Sequence, residues 1–193
     1  QDHLDYHKDF AEYFDAKAGL FRRVLPADAT AVLNIDDAKV AALGPEITAR
    51  GQGLLTVGRA EQADLRILGQ RFDATGQDVR FSFRGDTVMV RLNLIGGFQA
   101  ANVLMAAGLV IACGARLDAV FKVLPQLTTV RGRMELAATR KNGATVFVDY
   151  AHTPDALQTA LTALRPHVMG RLVVVFGAGG DRDRGKRPLM GAA

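Results

Sequence analysis

The sequence has a single cysteine among its 193 residues, and this excludes both a disulfide framework and a cysteine-based zinc site. That residue, Cys113, follows an apolar run, and we expect a buried thiol. No apolar stretch approaches the length of a membrane span, and no signal peptide is evident. These absences predict a cytoplasmic protein with no membrane partner.

The chain also lacks a strong excess of charge. Its formal net charge is +4, and the densest basic stretch runs from Arg182 to Arg187 beside a glycine-rich turn. Duplex nucleic acid usually requires a basic stripe across a whole face, so we expect no nucleic-acid partner. The basic turn is either a local anion-binding site or a solvated surface loop. With 49% hydrophobic residues, the chain can bury a sizeable core.

Hydrophobic periodicity predicts an α/β fold. The predicted helices cover 9–21, 39–50, 99–113, 117–124 and 155–165, and the predicted strands cover 31–35, 54–57, 145–149 and 172–176. Alternating runs between 63 and 94 predict antiparallel hairpins. The polar stretch 128–133 is the best candidate for a linker. A β-α-β pattern begins after it but breaks off with a forming helix, so we expect a fragment of a longer chain.

Two apolar runs, 145–149 and 172–176, each stop abruptly at polar residues. In a parallel sheet such breaks fall at the carboxyl ends of the strands, where ligands bind. The pattern therefore predicts one polar crevice with Asp149 and His152 on one strand end and the basic turn on the other. His152 is a candidate metal ligand, phosphate contact or general base, and it could equally cap the next helix with Thr153.

The glycine-rich turn fits neither common nucleotide loop. Gly180 to Lys186 has the spacing of a phosphate loop, but Arg187 stands where a magnesium-binding Ser or Thr is needed. Gly177 and Gly179 begin a dinucleotide fingerprint, but Arg182 occupies the position of its third glycine. An anion-binding turn for a carboxylate or phosphate remains.

Three further places carry candidate ligands. Asp2, His3 and Asp5 suit a hard divalent cation, although plain loops also contain such clusters. Lys17 is surrounded by apolar residues; its amine either reaches solvent or is buried and chemically modified. The amides of Asn34, Gln99 and Asn102 could contact a base edge or serve as caps.

Taken together, these segments resemble the Mur ligases, and within that family the members that add a diamino acid as third residue of the peptidoglycan stem peptide. The motifs are Asp2-His3-Leu4-Asp5-Tyr6-His7, Ala16-Lys17-Ala18, Asn34-Ile35-Asp36-Asp37, Gly132-Arg133-Met134-Glu135, Asp149-Tyr150-Ala151-His152-Thr153-Pro154-Asp155 and Gly179–Gly191. They follow the order of the family and span nearly the whole chain. The last two together are the most specific.

The resemblance implies a chemistry. Such ligases use ATP and Mg²⁺ to phosphorylate a carboxylate of a UDP-MurNAc-dipeptide, and the amine of a diamino acid, meso-diaminopimelate or lysine, then attacks the acyl phosphate. It also implies a monomeric, cytoplasmic bacterial enzyme. By position in the motifs, His3 and a carbamylated Lys17 resemble magnesium ligands. Lys17, Asp149 and His152 resemble the catalytic group.

The remaining correspondences concern binding. Asn34, Gln99 and Asn102 resemble contacts to the adenine or nearby nucleotide groups, and Arg133 and Asp149 resemble nucleotide contacts at the joint between domains. Asp181, Arg182 and Lys186 resemble the site for the incoming diamino acid.

The resemblance also implies domain boundaries. Residues 1–130 would form the latter part of a P-loop-type central ATPase domain, and residues 131–193 the first half of a Rossmann-like C-terminal domain. The family's phosphate loop does not occur in these residues, so we expect this stretch alone to be inactive and to bind ATP poorly. Another ligase of the superfamily, such as a folylpolyglutamate or cyanophycin synthetase, and a non-catalytic nucleotide-binding module are the alternatives.

Overall fold

The structure is a computed structural model that describes residues 7–178 and 185–193, and it has a mixed α/β fold. His3, Asp181 and Arg182 lie outside the described residues. The elements in chain order are α1 (Phe10–Gly19), a π-helical turn (Leu20–Val24), β1 (Thr30–Asn34), α2 (Ala38–Ala41), α3 (Gly44–Ala49), β2 (Gly53–Gly58), β3 (Leu65–Asp73), β4 (Gly76–Phe83), β5 (Asp86–Leu92), α4 (Phe98–Ala112), α5 (Leu117–Val123), a 3₁₀ turn (Leu124–Gln126), β6 (Glu135–Thr139), β7 (Thr145–Val148), α6 (Pro154–Leu164), a second 3₁₀ turn (Arg165–His167) and α7 (Lys186–Ala192).

The described residues divide into two compact units. The first contains 7–69, 79–90 and 100–124, and the second contains 70–78, 91–99, 125–178 and 185–193. Strands β1 to β5 form one sheet in the order β1-β2-β3-β4-β5, and β6 and β7 form a separate two-stranded sheet. Among the described residues, no helix combines the length and apolar character needed to cross a membrane.

The centre of the first unit is a parallel arrangement of β1, β2 and β3. Ala31 and Leu33 of β1 pack with Ala18, Leu43 and Ile47, which come from the helical segments on one side. On the other side α4 approaches so closely that a Cβ on Gly108 would lie 2.7 Å from the Leu55 side chain. Strands covered on both faces must be apolar throughout, and this is why the central residues of β1 are all buried.

The predicted hairpins are present. Two residues, Ala74 and Thr75, connect β3 to β4, and Arg84 and Gly85 connect β4 to β5. Adjacent strands joined by two residues must run antiparallel. Arg84 and Gly85 both have positive φ, 52° and 89°, as a tight turn between twisted strands requires.

One predicted helix is broken in two. The interpretation of 39–50 as a single helix is wrong, because α2 ends at Ala41 and α3 begins at Gly44. Pro45 has no N–H to donate back to the turn of α2, so one helix cannot continue through it, whereas the first turn of a new helix tolerates it. Asp37 caps α2 and accepts the N–H groups of Lys39 and Val40.

The second unit packs α6 against residues from distant parts of the chain. Thr153 caps α6 by accepting the Ala156 N–H, and Pro154 occupies the first turn, where a missing N–H does no harm. The helix buries Leu157, Ala160 and Leu164. Ala160 and Leu164 form a cluster with Ile95 and Met134. The antiparallel β6–β7 hairpin precedes α6, and sequence patterning identified only its second strand.

Two further predictions from the sequence are wrong. Residues 172–176 do not form a strand, and within the described residues β7 pairs with β6 and with no parallel neighbour. An extended apolar segment becomes a strand only when a partner satisfies its backbone groups. A second correction concerns the first unit, where Cys113, directly after the end of α4 at Ala112, is exposed rather than buried.

The turn between β3 and β4 is fixed by an ion pair. Arg91 donates to both carboxylate oxygens of Asp73, at 2.6 and 2.8 Å, and Thr75 donates to the same carboxylate. The Arg91 hydrogen bonds, followed by those from Thr75, hold the pKa of the Asp73 carboxyl well below its usual range.

We expect this pair to make stability depend on acid. Because the folded-state pKa of Asp73 is depressed, its stabilising effect is fully present above the unfolded pKa of about 4 and is lost as the pH falls below that value. The urea midpoint of the complete protein should fall between pH 5 and pH 3, and Asp73→Asn should flatten that fall. Asp86→Asn, at the next turn, is the control. An unchanged pH profile in Asp73→Asn would contradict the prediction.

Candidate active site

Three of the sequence-predicted residues, Arg133, Asp149 and His152, lie at one corner, where β7 ends. Asp149 follows β7 and accepts two backbone N–H groups, from Met134 at 2.9 Å and from Ala151 at 2.8 Å. Its carboxylate therefore connects the linker to the loop that enters α6. Sequence reasoning could not anticipate that Met134 adopts a positive φ of 51°, which turns its N–H toward Asp149.

Tyr150 lies between Arg133 and His152 at this corner. The Arg133 guanidinium lies 5.6 Å from the centre of the Tyr150 ring, and the His152 ring makes an edge contact with it at 5.2 Å. The Nδ1 of His152 is 3.0 Å from the Tyr150 carbonyl oxygen. A bond to a carbonyl requires the proton on Nδ1, so the neutral ring has its lone pair on Nε2. Sequence reasoning did not single out Tyr150, although it lies within the quoted motif.

The N-cap of α6 is Thr153, whose side chain accepts the Ala156 N–H. The corner of Arg133, Asp149 and His152 is exposed at the guanidinium and imidazole. A guanidinium and an imidazole can bind a phosphate or carboxylate. The Asp149 carboxylate fixes the backbone next to each of them, at Met134 and at Ala151.

Asn34 lies at the carboxyl end of the parallel strand β1, where ligands of such sheets bind. Its side-chain oxygen accepts the Asp36 N–H at 3.1 Å. Asp36 in turn accepts the N–H groups of Arg59 and Ala60, which follow β2. This edge is thus ordered by side-chain to backbone hydrogen bonds. Asn34 forms a local turn with Asp36 and is not the cap of α2, which is Asp37.

Lys17 lies on α1 and is exposed, with its Nζ 5.1 Å from the centre of the Tyr13 ring. The amine is therefore not buried in this chain, and the carbamylated state stays a prediction. Gln99 and Asn102 lie in the first turns of α4; Gln99 is buried and Asn102 exposed. The Gln99 N–H donates to the Gly96 carbonyl at 3.0 Å.

The other predicted residues are not brought together in one described cluster. Lys17, Asn34 and Asn102 belong to the first unit, whereas Gln99, Arg133, Asp149, His152 and Lys186 belong to the second. Lys186 begins α7 and is half-buried. Within residues 7–178 and 185–193, no group of three or more His, Cys, Asp or Glu side chains could hold a metal ion.

Family models match both parts of the chain. The Mur ligase middle domain matches residues 1–110, and the Mur ligase glutamate ligase domain matches residues 132–193. The chain therefore belongs to the Mur ligase family.

Individual relatives agree with this. The chain is 47% identical over 191 residues to the UDP-N-acetylmuramoyl-L-alanyl-D-glutamate--2,6-diaminopimelate ligase of Zymomonas mobilis, covering 99% of this chain and 39% of the relative. A solved structure of a ligase of the same name is 35% identical and matches with a TM-score of 0.74, over 100% of this chain and 39% of that one.

A further likeness concerns the fold alone. The MurF ligase of Thermotoga maritima in complex with ADP is 23% identical with a TM-score of 0.69, over 86% of this chain and 37% of that one. The chain thus spans about two fifths of the length of the proteins it matches.

Proposed function

We propose that the complete protein containing this chain is an ATP-dependent ligase that adds meso-diaminopimelate to UDP-N-acetylmuramoyl-L-alanyl-D-glutamate. The 47% identity over nearly the whole chain to a ligase of that name carries the proposal. The exposed cationic corner built on Asp149 supports it, because a reaction that passes phosphate and carboxylate groups needs cations held in fixed positions.

The proposed reaction has two steps, transfer of a phosphoryl group and attack by an amine. The γ-phosphoryl group of ATP moves to the D-glutamate carboxylate and ADP leaves. The amine of the diamino acid then attacks the acyl carbon, inorganic phosphate leaves, and the amine gives up a proton. In this scheme Arg133 and His152 stabilise the anionic groups, and Asp149 fixes the loop that carries His152.

The remaining sequence candidates keep their proposed roles. Asn34, Gln99 and Asn102 would contact the nucleotide, and Asp181, Arg182 and Lys186 the diamino acid. Among the described residues, no group of three or more His, Cys, Asp or Glu side chains could hold Mg²⁺. His3 and a carbamylated Lys17 remain the proposed ligands.

Phosphate release tests the function. The complete protein is incubated with ATP, Mg²⁺, UDP-MurNAc-L-Ala-D-Glu and one amine donor, and the product is identified by mass. We expect phosphate release that requires both the dipeptide and meso-diaminopimelate. Equal turnover with L-lysine would overturn the choice of diamino acid. No turnover with the dipeptide, but turnover with a folyl or another glutamyl substrate, would overturn the function.

Lys17 provides a residue-level test. Because Lys17 is exposed and its described ring contact is a cation–π contact at the surface, Lys17→Ala should leave the melting temperature nearly unchanged. We expect it to lower ligase turnover by about 100-fold, the size typical of losing one electrostatic group from an active site. Lys8→Ala, also exposed near the start of α1, is the matched control. Full activity in Lys17→Ala would refute the catalytic role.

A further inference from the structure

Three polar side chains that the proposed reaction does not use, two of them buried and one half-buried, converge on one turn. The turn is residues 94–97, immediately before α4, and we call it the pre-α4 turn. Gln77, which is fully buried, donates to the carbonyls of Leu94 and Gly96 at 3.2 and 2.9 Å. Gln70 donates to the Gly97 carbonyl at 2.8 Å. The sequences around Gln70 in β3 and Gln77 in β4 do not predict these hydrogen bonds, because the pre-α4 turn lies about twenty residues further along the chain.

The third side chain, His167, comes from the opposite end of the chain. It is 7% exposed and makes an edge contact with Phe72. Its Nε2 accepts the Gly96 N–H at 3.1 Å, and its Nδ1 lies 2.7 Å from the Asp73 carbonyl oxygen. Since Nε2 must accept, the proton lies on Nδ1 and is donated to Asp73. The two hydrogen bonds define one neutral tautomer.

Within the pre-α4 turn, Gly96 forms hydrogen bonds both with His167 and with the start of α4. The Gly96 N–H donates to His167, and the carbonyl of the same residue accepts the Gln99 N–H at 3.0 Å. Gly96 has a φ of 100°, a conformation that few other residues adopt. Gly96 therefore connects His167, in the turn after α6, to Gln99, the residue in the first turn of α4 that is proposed to contact the nucleotide.

Apolar packing supports the same connection. Ile95 of the turn is buried with Met134 and with Ala160 and Leu164 of α6. His167 and α6 lie in the part of the chain that matches the glutamate ligase domain, and Gly96 and Gln99 in the part that matches the middle domain. The contact thus joins segments that belong to different domains of the family.

We propose that His167 is a positioning residue that couples the C-terminal segment to the nucleotide site through Gly96. This inference rests on the proposed function for the role of Gln99. Nucleotide binding orders the start of α4 and thereby favours the His167 contact, and loss of the contact leaves the Gly96 N–H unpaired and the start of α4 less well fixed.

The test compares three substitutions in the complete protein. His167→Phe keeps a ring against Phe72 but removes both hydrogen bonds. His167→Gln can still offer an acceptor to Gly96, whereas the shorter His167→Asn reaches only toward Asp73. We expect the KM for ATP to rise about tenfold in the Phe and Asn variants, the effect of one unpaired buried N–H, and to stay within about twofold in the Gln variant. Turnover should change little. Met169→Ala, two residues away and fully exposed, is the control.

Calorimetric binding of a non-hydrolysable ATP analogue separates the two proposals. One outcome is a wild-type protein without ligase activity, whose Gln variant still binds the analogue more tightly than the Asn and Phe variants. This outcome would overturn the ligase function and keep the coupling. An active wild type in which all three variants bind ATP like Met169→Ala, whatever their melting temperatures, would overturn the coupling and assign His167 a packing role. If His167→Phe fails to fold, the comparison of Gln with Asn decides.

Discussion

Replacing Asp149 with alanine is expected to lower the ligase turnover of the complete protein by about 100-fold, the loss typical of a displaced catalytic loop. Asp149 accepts the N–H groups of Met134 and Ala151 and so fixes both sides of the corner that carries Arg133 and His152. Alanine leaves both N–H groups without this acceptor, which should also lower the free energy of unfolding by about 2 kcal/mol.

Asp149→Asn and Asp155→Ala sharpen this test. Asparagine keeps one oxygen but turns an NH₂ toward the second N–H group, so its activity should fall between that of alanine and wild type. Asp155 is exposed in the first turn of α6, six residues away, and Asp155→Ala should change turnover by less than about threefold. Turnover of Asp149→Ala equal to that of Asp155→Ala would remove Asp149 from the site.

The Gly76→Ala substitution should cause the largest loss of stability. Gly76 begins β4, and a Cβ there would overlap the Leu92 carbonyl oxygen and lie 3.0 Å from the Cα of Asn93. Both neighbours are backbone atoms, which cannot rotate away as a side chain would. We expect a loss of about 3 kcal/mol or more, or a melting temperature lower by about 8 °C.

Gly69→Ala is the matched control for Gly76→Ala. Gly69 lies in the neighbouring strand β3, and a Cβ at this position would meet nothing within 4 Å. The added methyl group should therefore leave the melting temperature unchanged or raise it slightly, because it restricts the unfolded chain. Equal destabilisation by both substitutions would show that strand propensity, rather than the close approach at Gly76, limits stability.

Local patterns predicted most elements of the first unit correctly. The apolar run of β1, the long small-residue helix α4 and the glycine at the β4–β5 turn each carry their information within a few residues. The helix at 39–50 was wrong because α2 ends at Ala41 and a new helix begins at Gly44, although Pro45, in the first turn of that helix, was a signal in the sequence. Residues 172–176 were wrong for another reason: strand formation depends on a partner strand, and no local pattern supplies one.

Motifs named the corner residues of the candidate site before the geometry was known. Arg133 and His152 both contact the Tyr150 ring, a grouping that the sequence did not predict. What the motifs did not reveal is that Asp149 is occupied by two backbone N–H groups. His167 was missed because nothing near it in the sequence distinguishes it from an ordinary surface histidine.

The sequence by itself determined the family, most secondary-structure elements of the first unit and the identity of the candidate groups, since each depends on short-range spacing of residue types. Tertiary structure alone decided which backbone groups Asp149 holds and that His167 meets Gly96, 71 residues earlier in the chain. Such contacts arise when packing brings distant segments together and leaves buried polar atoms that must find partners. No local rule encodes that pairing.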